Sequence, residues 1–452
     1  MVLGLYDLLL TPIYLGIFYA LAFAVRDKVT NKYTRPYFIP ALTLKFVGAI
    51  ALGLIYEYYY KGGDTFNYYN EASVIYHAFG DSFGAGFKLL TTSGDYDPTI
   101  AKYIGQMHWF GRGSNEYLVL RAAAFFALFD FNTYTVTALF FALASFSGIW
   151  AMYMTFAKIR PVIYKELAVA VFFIPSVFFW GSGLMKDSLC LGALGWIFYA
   201  FYRGAIEKRN ILRSLIIGAL AAVPIISTKI YILLAFLPPA LLWVVNENNA
   251  RIRNSTVRLL VKPLFFGAGA ALAFFAATNL TAGDDRFDID KIGERSKITA
   301  EYLYQVSVAQ QGSAYNLGEL DGTLGGMVKL APQAIVVSLF RPFLWEARNP
   351  VMLLSALEAT YFIWFTISIL YKNGVLRTLR LIGTTPVLTL CFVFSLIFAF
   401  AVGTSTSNFG TLVRYKIPLM PFYLCGLLIT QSMSQPTRKR SAARPALRPA
   451  LR

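Results

Sequence analysis

The stretch TPVLTLCFVFSLIFAFAV, Thr385 to Val402, runs for eighteen residues without a charge. That is long enough for a helix to cross the hydrocarbon of a bilayer, and it decides how the rest of the chain is read. Comparable apolar runs recur on both sides of it, giving expected spans near 5–24, 40–59, 133–156, 167–185, 188–202, 214–228, 231–245, 263–279, 351–371, 385–402 and 417–432. Composition agrees: of 452 residues, 57% are apolar, 16% aromatic and only 14% charged, where soluble domains carry about 25% charged residues. Mean hydropathy is +0.55. These values exclude a disordered chain, a fibrous protein and an ordinary soluble enzyme. The expected fold is an all-α polytopic membrane protein of about 11 transmembrane helices. Residues 1–432 form a single membrane domain, followed by a basic tail, 433–452, expected to be disordered.

The net charge of +17 is distributed unevenly. Eleven spans place segments 26–36, 157–166, 203–213, 246–262, 372–380 and the tail on one side, with 24 Lys/Arg against 4 Asp/Glu. The opposite side, with its flanking span ends, carries 16 Lys/Arg against 20 Asp/Glu, and Lys45 lies within a span. By the positive-inside rule the basic side is cytoplasmic, which puts the N-terminus outside and the C-terminus inside. The basic balance is thus a topology signal, not a nucleic-acid surface; Arg438, Lys439, Arg440, Arg444, Arg448 and Arg452 read as an anchor on anionic lipids. The first span has no basic region before it and does not read as a cleaved signal. Cys190, Cys391 and Cys425 fall in or beside spans and imply no disulfide framework. With His77 and His108 the only histidines, no metal site is expected; the acidic run Asp284 to Asp290 could hold a divalent cation but also reads as a solvated loop.

Cytoplasmic loops are short, whereas two outside segments, 60–132 and 280–350, are long, and long loops in compact folds tend to carry function. Helical spacing from Thr65 to Phe79 predicts a helix on the membrane surface, capped by Asp64 or Thr65. Leu118 to Phe129 reads as a second interfacial helix or the start of the third span, and Lys297 to Gln311 as an amphipathic helix. Gly326 to Trp345, interrupted by Lys329, Pro332 and Arg341, is placed at or dipping into the outer interface.

Ionisable residues gather at the outer ends of the spans: Asp64, Glu71, Arg121, Lys186, Asp187, Lys229, Arg341, Glu346, Arg348, Glu358, Arg414 and Lys416. Charge at that depth is costly unless solvated or paired, so a wet outward cavity would account for them together. Asp64 follows Gly62-Gly63 at the mouth of a span. It is either an N-cap or a base placed to take a proton from an acceptor hydroxyl. Asp187 carries the same two readings. Arg341, Arg348 and Arg414 suit a phosphate through bidentate bonds, or pair with Glu346, Glu358 or lipid headgroups. The aromatics 56–69, including Tyr68 and Tyr69, could stack on sugar faces or form an interfacial belt.

Four stretches in order resemble the GT-C superfamily of polytopic glycosyltransferases, among them the protein O-mannosyltransferases, which use polyprenyl-phosphate sugars. They are Gly63-Asp64-Thr65-Phe66-Asn67-Tyr68-Tyr69, then Asn115 to Arg121, then Pro175 to Trp180 with Gly183-Leu184-Met185-Lys186-Asp187, and finally Ser227-Thr228-Lys229-Ile230-Tyr231. The resemblance covers about residues 40–245. It implies that Asp64 and Asp187 are the catalytic carboxylates and that an Arg or Lys near the outer face binds the lipid phosphate; the candidates from the residue reading are Lys186, Lys229, Arg341, Arg414 and Arg121, with Tyr68 and Tyr69 as aromatics for the substrate. It further implies a glycan, lipid or protein acceptor, an inner-membrane location with the site facing the outside, and no certain cofactor. The chain departs from the pattern in an extra N-terminal span, in having no second acid beside Asp64 and in lacking a large soluble C-terminal domain. Arg341 to Glu346 and Asn408 to Pro421 resemble bacterial surface-polysaccharide proteins, including O-antigen-type polymerases. Polymerisation of lipid-linked repeat units is therefore the alternative reaction, and a lipid-linked glycan transporter or flippase the alternative class. Transporters bury ionisable groups near the midplane, where this chain offers only Lys45.

Overall fold

The computed structural model describes residues 2–92, 97–110, 116–249, 292–309, 312–318 and 320–434. Among these the chain is helical, with one isolated β-bridge, Ala314 to Asn408. Seven helices are long and apolar enough to cross a membrane: Leu5–Val29, Arg35–Tyr60, Tyr134–Ile159, Lys186–Ile206, Ile211–Lys229, Pro350–Asn373 and Pro386–Ser405. The pair Phe409–Tyr415 and Leu419–Ser434, bent by 65°, makes an eighth if it is one span. The chain is therefore a multi-pass membrane protein.

The difference from eleven has local causes. The expected span 167–185 is two short helices, Tyr164–Phe172 and Pro175–Trp180. Pro175 lacks an N–H and holds Ile174 in the extended region (φ −74°, ψ 121°), so the helix breaks there. The 231–245 segment lies in helix Tyr231–Asn249, whose apolar part, Tyr231–Glu247, contains Pro238 and Pro239 and is short for a crossing. The expected span 263–279, the Asp284 to Asp290 run and the tail from 435 lie outside the described residues.

The surface helices follow the sequence reading closely. Asp64–Asp81 and Tyr117–Asp130 pack on each other, and Phe131 and Asn132, both left-handed, separate the second from the Tyr134–Ile159 span. The 297–311 segment is helix Ile292–Ala309. The 326–345 stretch forms Leu324–Lys329 and Ala331–Phe340; the second docks on the Pro386–Ser405 span, where Ser338 donates to the Ala399 carbonyl at 2.7 Å.

Backbones approach closely where glycine allows it. A Cβ on Gly148 would collide with the Gly192 carbonyl, and one on Gly195 with that of Gly148. This small-residue seam joins Tyr134–Ile159 to the helix beginning Lys186-Asp187. Lys45, buried in its span, donates to the Gly181 carbonyl at 2.6 Å and to Ser145 Oγ at 3.1 Å. Ser145 donates to the same carbonyl at 2.7 Å. Two spans thus grip the turn that delivers Lys186 and Asp187.

Candidate functional site

Lys61, Gly62 and Gly63 all have positive φ (55°, 134° and 126°), a reversal that glycine makes without strain. It swings the chain from the end of the second span into the Asp64–Asp81 helix. A Cβ on Gly63 would lie 2.7 Å from Tyr56 Cε1, so the turn also packs tightly on that ring. Gly63, not Asp64 or Thr65, occupies the N-cap position, and no side chain caps this helix. Asp64 is the first helical residue, and its carboxylate reaches instead to Arg414, accepting from Nη1 at 2.7 Å. Thr65 is committed to the Tyr134 hydroxyl at 2.9 Å.

Arg414 joins the two carboxylates. Its Nε donates to Asp187 Oδ2 at 2.7 Å, and Asp187 Oδ1 accepts from Lys229 Nζ. Lys229 also lies 4.3 Å from the centre of the Tyr415 ring, within cation–π range. Exposure grades along the chain of charges: the Asp187 side chain is 1% exposed, Lys229 6%, Arg414 11% and Asp64 50%. Helix polarity supports every member. Asp64 and Asp187 stand in the first turns of their helices, where partial positive charge favours anions; Lys229 and Arg414 stand in last turns, where partial negative charge favours cations.

Lys186 points to a different partner, Glu116 Oε1, at 2.5 Å. Tyr68 is buried against Trp109, ring centres 5.1 Å apart, and feels the charges of Lys186, Asp64, Arg414 and Glu116. Burial pushes its hydroxyl up from the ordinary tyrosine range, against the pull of Lys186 and Arg414. Among the described residues that hydroxyl has no hydrogen-bond partner.

A second group lies beside the first. Arg341 pairs with Glu346, its Nε 3.0 Å from Oε2, and its guanidinium packs over Tyr315, Phe343 and Phe409. Burial pushes the Glu346 carboxyl up, but the Arg341 bond and the Phe343 N–H outweigh it and hold it below the usual range. Lys416, buried two residues after Arg414, donates to the Arg341 carbonyl at 3.1 Å. Glu358 accepts from Ser176 N at 2.8 Å and Oγ at 2.7 Å.

The structure therefore brings Asp64, Asp187, Lys229 and Arg414 into one bonded group, with Tyr68 and Lys186 beside it. It does not bring in Arg121, which donates to the Thr91 carbonyl and lies over Tyr117. Nor does it bring in Tyr69, which donates to the Asn132 carbonyl at 2.5 Å. Arg348 is exposed. Sequence reasoning missed Glu116, Tyr415 and Trp109. Glu116 and Tyr415 were within reach, since each sits in a stretch already marked by a neighbouring cation; Trp109 carried no such signal. No protein-family model matches the chain, and no curated protein or solved structure matches it.

Proposed function

We propose that the protein is a glycosyltransferase that moves a sugar from a polyprenyl-phosphate-linked donor to an acceptor hydroxyl at the outer face of the cytoplasmic membrane. The observation that carries this reading is the sharing of Arg414 between a buried carboxylate, Asp187, and a half-exposed one, Asp64. Four segments far apart in sequence converge there; Asp64, Asp187 and Lys229 come from stretches that carry the GT-C resemblance, and Arg414 from outside it. The charge distribution supports an outward-facing site with a cytoplasmic C-terminus. Activated nucleotide sugars reside in the cytoplasm, so an outward site needs a donor that has crossed the membrane, and a lipid-linked sugar meets that need.

In this reading Asp187 positions rather than reacts. Both its oxygens are engaged, and it holds Arg414 and Lys229 in place. Asp64 is the reactive carboxylate, since only one of its oxygens serves Arg414. The donor phosphate, which can accept two guanidinium bonds where Asp64 accepts one, takes the place of Asp64 on Arg414. Asp64, released from its counter-ion, becomes more basic and accepts the acceptor's proton. The acceptor oxygen bonds to the sugar's anomeric carbon as the bond from that carbon to the phosphate oxygen breaks. Arg414 and Lys229 stabilise the charge that develops on the departing phosphate.

The scheme gives Asp64→Asn and Arg414→Gln opposite effects on donor binding. In the purified protein, Arg414→Gln should weaken polyprenyl-phosphate binding roughly ten- to a hundredfold, the loss of a charge-assisted bond. Asp64→Asn should bind it as well as wild type or better, because a competing anion is gone. Transfer from a panel of polyprenyl-phosphate sugars should nevertheless fall on the order of 10²- to 10⁴-fold. Normal transfer by folded Asp64→Asn, or unchanged binding by Arg414→Gln, contradicts the proposal.

A further inference from the structure

Helix Val375–Thr384 connects the end of the Pro350–Asn373 span to the start of the Pro386–Ser405 span. The latter span ends next to the helix that carries Arg414, so Val375–Thr384 lies at the opposite face of the bundle. At about 3.6 residues per turn its surface divides into three sectors. Thr378, with Leu381 and Ile382, faces the core. Val375, Leu376 and Leu379 form an exposed apolar sector, Leu376 being 83% exposed. Arg377 and Arg380, one turn apart, occupy the sector between them. An open surface cavity of about 500 Å³ lies along this basic sector, lined by Leu376, Arg377, Arg380, Leu381 and Thr384 of this one helix; the Thr384 hydroxyl donates to the Arg380 carbonyl at 2.7 Å. Among the described residues neither arginine side chain has an ion-pair or hydrogen-bond partner.

We infer that this cavity seats the headgroup phosphate of an anionic phospholipid. An exposed leucine row is unfavourable in water and favourable in the acyl region of a bilayer. A helix lying in the interface plane places that row in the acyl layer and the adjacent guanidiniums at headgroup depth. Two unpaired guanidiniums flanking a cavity suit a phosphodiester through charge-assisted, bidentate bonds. Selection for an anionic lipid follows because a zwitterionic headgroup brings its own ammonium to the same phosphate. The site is separate from the Arg414 group and does not depend on the reaction proposed for it.

Native mass spectrometry of the full-length protein in detergent, titrated with phosphatidylglycerol, phosphatidylcholine or glycerol phosphate, tests the assignment. Wild type should bind phosphatidylglycerol most tightly. R377Q/R380Q should weaken that binding roughly thirtyfold, the effect of two basic residues at a membrane surface, while R377K/R380K retains most of it. A tail variant, R438Q/R440Q, should keep the tight site. Wild-type phosphatidylglycerol affinity in folded R377Q/R380Q overturns the site, as does loss of tight binding in the tail variant alone. Glycerol phosphate binding as tightly as phosphatidylglycerol would assign the cavity to a soluble phosphate and overturn the lipid.

Discussion

Arg414 reaches Asp187 and Asp64 at the same 2.7 Å, yet the two carboxylates answer to different physics. Asp187 is buried between two cations, so removing its charge strips buried Lys229 of its carboxylate and leaves Arg414 only the half-exposed Asp64. Asp187→Asn should cost about 3–5 kcal/mol of stability, the range for breaking a buried pair from one side, read as a large fall in melting temperature in detergent. Asp64→Asn should leave that temperature nearly unchanged, because water already screens Asp64. Comparable melting losses in both variants would mean that Asp64 is structural. Asp130 gives a pH signature independent of the site. It is buried, accepts from Thr133 N at 3.1 Å and from Thr137 Oγ1 at 2.7 Å, and burial pushes its carboxyl up to about 7 in spite of these bonds. A carboxyl raised in the folded state stabilises most below its unfolded value, near 4, and that contribution is lost as pH rises through about 7. Melting temperature should therefore fall across this window, and Asp130→Asn should flatten the fall; an identical profile in the variant would show that other groups set it. Much of this detail was not legible in the sequence. The set of ionisable residues at one depth could be read from hydropathy and loop position. Their pairing could not, because Asp64 and Arg414 are 350 residues apart and nothing local records that they meet.

The elements place these residues through backbone contacts that side-chain patterns do not reveal. Gly148, Gly192 and Gly195 let two spans touch backbone to backbone, and one of those spans begins with Lys186-Asp187. Gly148→Leu should force the helices apart, costing about 1–3 kcal/mol or more and slowing transfer by displacing Asp187. A variant with wild-type melting temperature and activity would show that the seam is not needed. Long apolar runs were legible because a span is a length and a composition. Broken elements were not: Ile174-Pro175 splits one expected span, and a short helix, Phe409–Tyr415, precedes the expected span 417–432 across a 65° bend. That bend places the last turn of Phe409–Tyr415 beside Asp187, which a straight span from 417 could not have indicated. The N-cap of the Asp64–Asp81 helix was misread for a related reason. Asp and Thr are favoured caps, but a glycine at φ 126° occupies the position and frees Asp64 for a distant partner.

For the whole molecule, the proposed orientation puts the basic segments in the cytoplasm and the Arg414 group outside. With the basic segments inside, a cysteine placed at Ser313 should react with an impermeant reagent in intact cells, and one placed at Ser441 should not. Reaction at Ser441 alone would invert the map and put the Arg414 group in the cytoplasm. The two ends then differ in kind. One gathers buried and half-exposed charges of both signs from four segments around Arg414; the other presents unpaired arginines beside exposed leucines on Val375–Thr384. The account assigns polyprenyl phosphate to the first and bulk anionic phospholipid to the second. The most direct test is a cryo-EM structure of the protein in nanodiscs loaded with polyprenyl phosphate. The account predicts phosphate density within hydrogen-bond distance of Arg414, with Asp64 turned away from it. Phosphate density only at the Arg377 and Arg380 end, or an Asp64–Arg414 pair still closed with the lipid bound elsewhere, would contradict it.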